Sequence, residues 1–133
     1  IPSSNSIMAN NLFKLSHYYD NSKYLNTSLS MVKNISDQID VYPNGFSNWM
    51  NLILNLNKNF YEIAIVGDSA IEKINELNKN YLPNKIVVGS LKDNSLPLLK
   101  NRYIEGETMI YVCVKKACKM PVKTIKEALK LID

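Results

Sequence analysis

Two cysteines, Cys113 and Cys118, stand five positions apart in the stretch YVCVKKACKMPV at residues 111–122, and the chain has no others. Two thiols this close have a limited range of chemistry. A dithiol redox couple usually has two intervening residues and one cysteine at a helix N-terminus, where the dipole lowers its pKa; four intervening residues depart from that pattern. A structural zinc site takes four ligands, and two cysteines with one distant histidine, His17, fall short of that. No metal is therefore expected, and His17, near a helix end, reads as a cap or surface residue. Structural thiols and a redox-responsive pair both remain open readings, and a small disulfide loop closed by the pair would be transient in a reducing cytosol. Lys115, Lys116, Lys119 and Lys123 concentrate positive charge here and favour a thiolate at Cys118, the more exposed of the two.

The elements that must carry this pair begin with β-type periodicity. Residues 61–66, YEIAIV, form a short apolar run rich in β-branched side chains, followed at once by Gly67, Asp68 and Ser69; this predicts a buried strand feeding a helix. Ile71, Ile74 and Leu77 give that helix its apolar stripe, and Pro83 and Asn84 end it. A second strand is expected at Ile86, Val87 and Val88, ending at Gly89 and Ser90, and a third at residues 108–114. Between them residues 94–102 are ambiguous, with Leu96, Leu98 and Leu99 compatible with a short helix started at Pro97. After Pro121, the stripe Val122, Ile125, Leu129 and Ile132 predicts a final helix. Alternating strands and helices favour a parallel sheet with right-handed crossovers. In such sheets ligands sit beyond the carboxyl ends of the strands, which makes Asp68, Ser69 and Ser90, together with the cysteine segment, candidate ligand contacts. Asp68 and Ser69 also read as helix caps. The lone VGDS lacks the further glycines of a dinucleotide fingerprint, and no Gly-Lys-Ser/Thr phosphate loop exists.

Residues 1–57 read differently. The polar run Ser3, Ser4, Asn5, Ser6 can cap a helix, and Met8, Leu12, Leu15 and Tyr19 recur at helical spacing. Asp20, Asn21 and Ser22 break the pattern and cap a second helix with the stripe Leu25, Leu29, Val32, Ile35 and Ile39. So short a turn favours two adjacent antiparallel helices. Pro43, Asn44 and Gly45 punctuate the chain before a third helix with Phe46, Trp49, Met50, Ile53 and Leu56 on its apolar side. No internal repeat at a fixed period is visible. The expectation is an α+β chain: helices over 1–57, then a small three-stranded parallel α/β unit over 58–133.

Composition sets the outer limits. The chain has 133 residues, 46% of them hydrophobic and 21% charged, an ordinary globular balance. The net charge of +4 is spread among acids, with no arginine cluster or aromatic-basic ladder, so no nucleic-acid partner is expected. No apolar run is long enough to span a bilayer and the first residues lack a signal-peptide pattern; the expectation is a soluble, cytoplasmic protein without a membrane partner. The chain opens on Ile1 rather than Met, as a processed product or a piece of a longer polypeptide would. No cofactor is called for.

Two segments carry a family likeness. YVCVKKACKMPVKTIKEALKLI, from residue 111, resembles the C-terminal signature of the spermatogenesis-associated thioredoxin-domain family: a tyrosine-valine-cysteine strand, a second cysteine, a proline-valine pair and a last helix. The opening IPSSNSIMANNLFKLS is similar to that family's helix start, and EIAIVGD and NKIVV follow in the expected order. The positions that match are Pro2, Ser3, Asn5 and Ser6 at one end and Cys113, Cys118, Pro121 and Val122 at the other; Ser4 stands where the family has glycine.

The resemblance implies the C-terminal piece of a larger protein that has a thioredoxin-like domain, an α/α toroid like that of six-hairpin glycosidases and sugar epimerases, and a terminal α/β region. Residues 1–57 would then be the last helices of the toroid. The first function it implies is non-catalytic: completion of the toroid, with the remainder of the parent as partner and self-association through exposed helices when isolated. A second is membership of a carbohydrate-active enzyme, to which Asn5 and Ser6 lend cleft-edge groups. Glycosidase chemistry needs two carboxylates facing one sugar, and Asp20, Asp37 and Asp40 all lie near helix ends, so no catalytic pair is named. The third is a redox-responsive module built on Cys113 and Cys118.

Overall fold

A computed structural model describes residues 3–132; Pro2, matched in the helix opening, lies outside the described residues. The chain divides into two compact units, Ile1–Lys58 and Asn59–Asp133.

The first unit is helical. Ser3 caps α1 (Ser4–Tyr19) by accepting the Ser6 N–H on its hydroxyl. Asp20 ends the helix in the left-handed region with φ 52°, and Asn21 then caps α2 (Ser22–Lys33) through the N–H groups of Lys23 and Tyr24. The run expected to continue through Ile39 stops at Lys33, and a single turn, α3 (Ser36–Ile39), follows. A short 3-10 helix at Pro43–Phe46 leads into α4 (Ser47–Asn57), which buries Trp49 and Leu52.

α1 and α2 meet through small residues at Ala9 and Ser28. α1 buries Ser6, Ala9, Phe13 and Ser16, and α2 buries Ser28. Ser28 donates its hydroxyl to the Ala9 carbonyl at 2.9 Å, a contact that needs both backbones close together. The larger stripe expected on α1 lies about a third of a turn away round the helix. It faces outward: Met8 is 54% exposed, Leu15 36% and Tyr19 58%, with Leu29 of α2 at 42%. Its spacing is helical as expected, but the side that packs within the unit is the one bearing Ser6, Ala9, Phe13 and Ser16.

In the second unit a four-stranded sheet runs in the order β2-β1-β3-β4. β1 (Tyr61–Val66) pairs in parallel with β2 (Lys85–Ser90) and antiparallel with β3 (Met109–Val114); β4 (Ala117–Cys118) returns antiparallel beside β3. The sheet is therefore mixed, and the expected all-parallel arrangement is corrected. The cause is the connection from β2 to β3. Residues 94–102 form turns rather than a crossover helix: Leu99 and Lys100 both donate to the Leu96 carbonyl, and Asn101, at φ 60°, donates its N–H to the Asp93 carboxylate. Without a helix to carry the chain to the far end of the sheet, it re-enters at the end where β2 stopped and β3 must run the opposite way.

Alternation along β1 splits the core. Tyr61, Ile63 and Ile65 face α5 (Ala70–Leu77) and α6 (Ile125–Lys130), packing with Leu77, Ile110, Val112, Ile125 and Ala128. Ala64 and Val66 face the other way, where the long 91–108 segment lays Leu96, Leu99 and Tyr103 across the sheet with Tyr111. Gly67, at φ 132°, sits against the backbone of Glu107 and Thr108, and a Cβ there would lie 2.6 Å from the Thr108 Cα. Among the described residues no helix is long and apolar enough to cross a membrane.

Candidate functional site

The antiparallel course of β3 moves the cysteines. Strand-end candidates on β1 and β2 lie at one end of the sheet, whereas Cys113 pairs in register with Glu62, near the start of β1. With about 3.3 Å per residue, the two groups are roughly 15 Å apart, so they do not form one site as the parallel arrangement had implied.

At the strand-end group, Ser69 occupies the N-cap position of α5 but its side chain makes no cap bond. The hydroxyl of Thr108 accepts the Ser69 N–H at 3.0 Å instead. Asp68 is exposed. Ser90 accepts the Gly67 N–H on its carbonyl at 3.0 Å and the Lys92 N–H on its hydroxyl at 3.4 Å. The bonds at Ser69 and Ser90 hold the strand ends in place. In the first unit Asn5 is exposed, whereas Ser6 is buried, donating its hydroxyl to the Ser3 carbonyl at 2.8 Å and accepting from Asn48 Nδ2 at 2.8 Å. Ser6 thus ties α1 to α4, helped by Asn10, whose amide donates to the Asn48 carbonyl at 3.2 Å.

The cysteines sit in a more developed environment. β3 and β4 form a hairpin whose two turn residues, Lys115 and Lys116, have φ 50° and 69°. Both positions are left-handed, as a two-residue hairpin of this hand requires, although Asn and Gly are the residues that take that shape easily. One pair beyond Val114 and Ala117, Cys113 and Cys118 face each other across the strands and are joined in a disulfide with a Cα–Cα distance of 3.9 Å. Cys113 is 1% exposed, and Cys118 is exposed.

Arg102, the chain's single arginine, spans both sulfurs. Its Nη1 lies 3.6 Å from Cys113 Sγ and its Nη2 3.3 Å from Cys118 Sγ. The guanidinium is held in that position. It lies over the Tyr111 ring, 4.9 Å from the centroid, and its own carbonyl accepts the Tyr111 hydroxyl at 3.0 Å. Burial holds its pKa below the ordinary guanidinium value, while Tyr111 and Glu62 nearby work in the opposite direction. Glu62 is 2% exposed and accepts the Lys116 N–H at 3.2 Å, which fastens the left-handed turn to the central strand.

Sequence reasoning found the cysteines but missed Arg102 and Glu62. The signals were present: a lone arginine in a lysine-rich chain, and an acid inside the otherwise apolar YEIAIV. No group of three or more metal-ligating side chains exists among the described residues.

The fold and site define an α+β chain in which a helical unit precedes a mixed-sheet unit carrying an arginine-spanned cystine. No family model matches it, and no solved structure does. Among curated proteins it is similar to spermatogenesis-associated protein 20 of Homo sapiens and of Rattus norvegicus, each 24% identical over 142 aligned positions, and of Mus musculus at 23%. Those alignments take in 98% of this chain and 18% of each relative, so the chain spans about a fifth of the length of the curated relatives it matches.

Proposed function

We propose that this chain is a non-catalytic region of a larger protein, in which residues 1–57 complete an α/α toroid. The observation that carries the reading is the outward apolar stripe of Met8, Leu15 and Tyr19 on a helix whose inner side is already packed with Ser6, Ala9, Phe13 and Ser16. A helix of this kind has a further neighbour to satisfy besides α2 and α4. The occupant we assign is a preceding helical hairpin of the same polypeptide, in keeping with relatives of which the alignment takes in only 18%.

The test uses two separately made polypeptides, this chain and the helical region preceding it in the full reading frame. The reading predicts that they associate, that the chain alone self-associates, and that Met8→Glu, Leu15→Glu and Tyr19→Glu together abolish both. A chain that is monomeric alone and does not associate with the preceding region would overturn it.

A further inference from the structure

We propose that the Cys113–Cys118 disulfide is a thiol-exchange site in which Cys118 is the attacked sulfur, Cys113 departs as a thiolate, and Arg102 holds the developing charge. A neutral cystine is a poor hydrogen-bond acceptor, yet a charged guanidinium is aimed at both of its sulfurs, 3.6 and 3.3 Å away. Those donors match the reduced, anionic sulfurs far better than the oxidised ones. Arg102 is also fixed before any charge appears, by the Tyr111 ring beneath it and by the hydroxyl bond to its carbonyl. Exposure decides the direction of attack: Cys118 faces solvent and Cys113 does not. Departure of a buried thiolate is ordinarily penalised by desolvation, and Arg102 offsets that penalty where it arises. Lys115 and Lys116 in the connecting turn add positive charge beside Cys118; Glu62, across the strand from Cys113, opposes it while binding the Lys116 N–H.

The reductant class is a dithiol. One of its thiolates forms a bond to Cys118 Sγ as the Sγ–Sγ bond breaks, and the electron pair leaves on Cys113. The second dithiol sulfur, deprotonated, then attacks the reductant sulfur of the mixed disulfide and releases Cys118 as a thiolate. The dithiol ends as its own disulfide, having supplied two electrons, and its two protons pass to solvent or to the released sulfurs. This inference does not depend on the reading of the chain as part of a larger protein.

The experiment is exchange on the whole folded chain, with thiols trapped by acid quench and maleimide labelling and counted by mass. Millimolar dithiothreitol is expected to reduce the disulfide in the folded state, faster than the chain unfolds. With glutathione as a monothiol, the trapped mixed disulfide is expected on Cys118. Arg102→Gln is expected to slow the first step about tenfold, with Arg102→Lys intermediate, and in Cys118→Ser to move the pH midpoint of the Cys113 thiolate upward. Reduction that waits for unfolding, glutathione found on Cys113, or a rate and midpoint indifferent to Arg102 would each make this a structural crosslink only and overturn the proposal. The first two readouts use the unsubstituted chain, so a variant that fails to fold leaves the test intact.

Discussion

Replacing Ala9 by leucine should cost the first unit far more than removing the larger, more apolar Met8 from the same helix. Ala9 is fully buried in the α1–α2 seam, and its carbonyl accepts the Ser28 hydroxyl at 2.9 Å. A leucine there must force the helices apart, which by itself costs about 1–3 kcal/mol. Separation also breaks the Ser28 bond and leaves a buried hydroxyl unpaired, a further ~1–3 kcal/mol. A loss of about 2–6 kcal/mol follows, a large share of the ~5–15 kcal/mol that holds a typical domain together. Met8→Gln removes a side chain that is 54% exposed. Only about half of the ~2 kcal/mol for burying such a side chain is at stake, and glutamine keeps the helix propensity, so the loss stays under ~1 kcal/mol. Trp49 is the chain's single tryptophan and is buried in α4, so its fluorescence during urea unfolding reports the first unit alone. Measurements belong at low concentration, where self-association does not add stability. If Met8→Gln lowers the urea midpoint more than Ala9→Leu does, the large apolar stripe is the packed face and the small-residue seam is wrong.

Three further outcomes concern the sheet unit. Gly67→Ala should destabilise it by about 3 kcal/mol in thermal unfolding, because φ 132° suits glycine and the new Cβ meets the Thr108 backbone at 2.6 Å. Lys115→Asn with Lys116→Gly should stabilise it by about 1 kcal/mol, by relieving two left-handed lysines at φ 50° and 69°. At α6, the Thr124 hydroxyl and the Thr124 N–H bond the Glu127 carboxylate and hold its pKa below the ordinary value. A depressed folded pKa means that its contribution is present above the ordinary carboxylate range and is lost as pH falls through the lowered value. An NMR titration should find the Glu127 midpoint rising toward normal in Thr124→Ala.

Much of the helical unit could be read from periodicity, because α1 and α2 keep their apolar residues at regular spacing between polar caps. Which side of α1 packs inside the unit could not be read that way. Hydrophobic spacing marks a face that needs a partner, and it gives no weight to Ala9 and Ser28, whose close approach comes from lacking bulk. The strands were legible from their β-branched runs, but their directions depended on what residues 94–102 became. Proline and leucines there suited a helix start; the Asp93 carboxylate and left-handed Asn101 instead made a turn, and β3 was reversed. That reversal separated the cysteines from Asp68, Ser69 and Ser90. Arg102 stands 11 and 16 positions from the two cysteines, and only the folded path of the 91–108 segment brings it onto their sulfurs.

The central claim, that the stripe on α1 is covered within a larger protein, is tested most directly by hydroxyl-radical footprinting of Met8 and Tyr19. Met120, at 83% exposure, serves as the internal reference. In the dilute isolated chain Met8 should oxidise readily and Tyr19 with it; in the full-length protein both should be protected several-fold while Met120 stays reactive. Met8 and Tyr19 as reactive in the full-length protein as in the isolated chain would contradict the account.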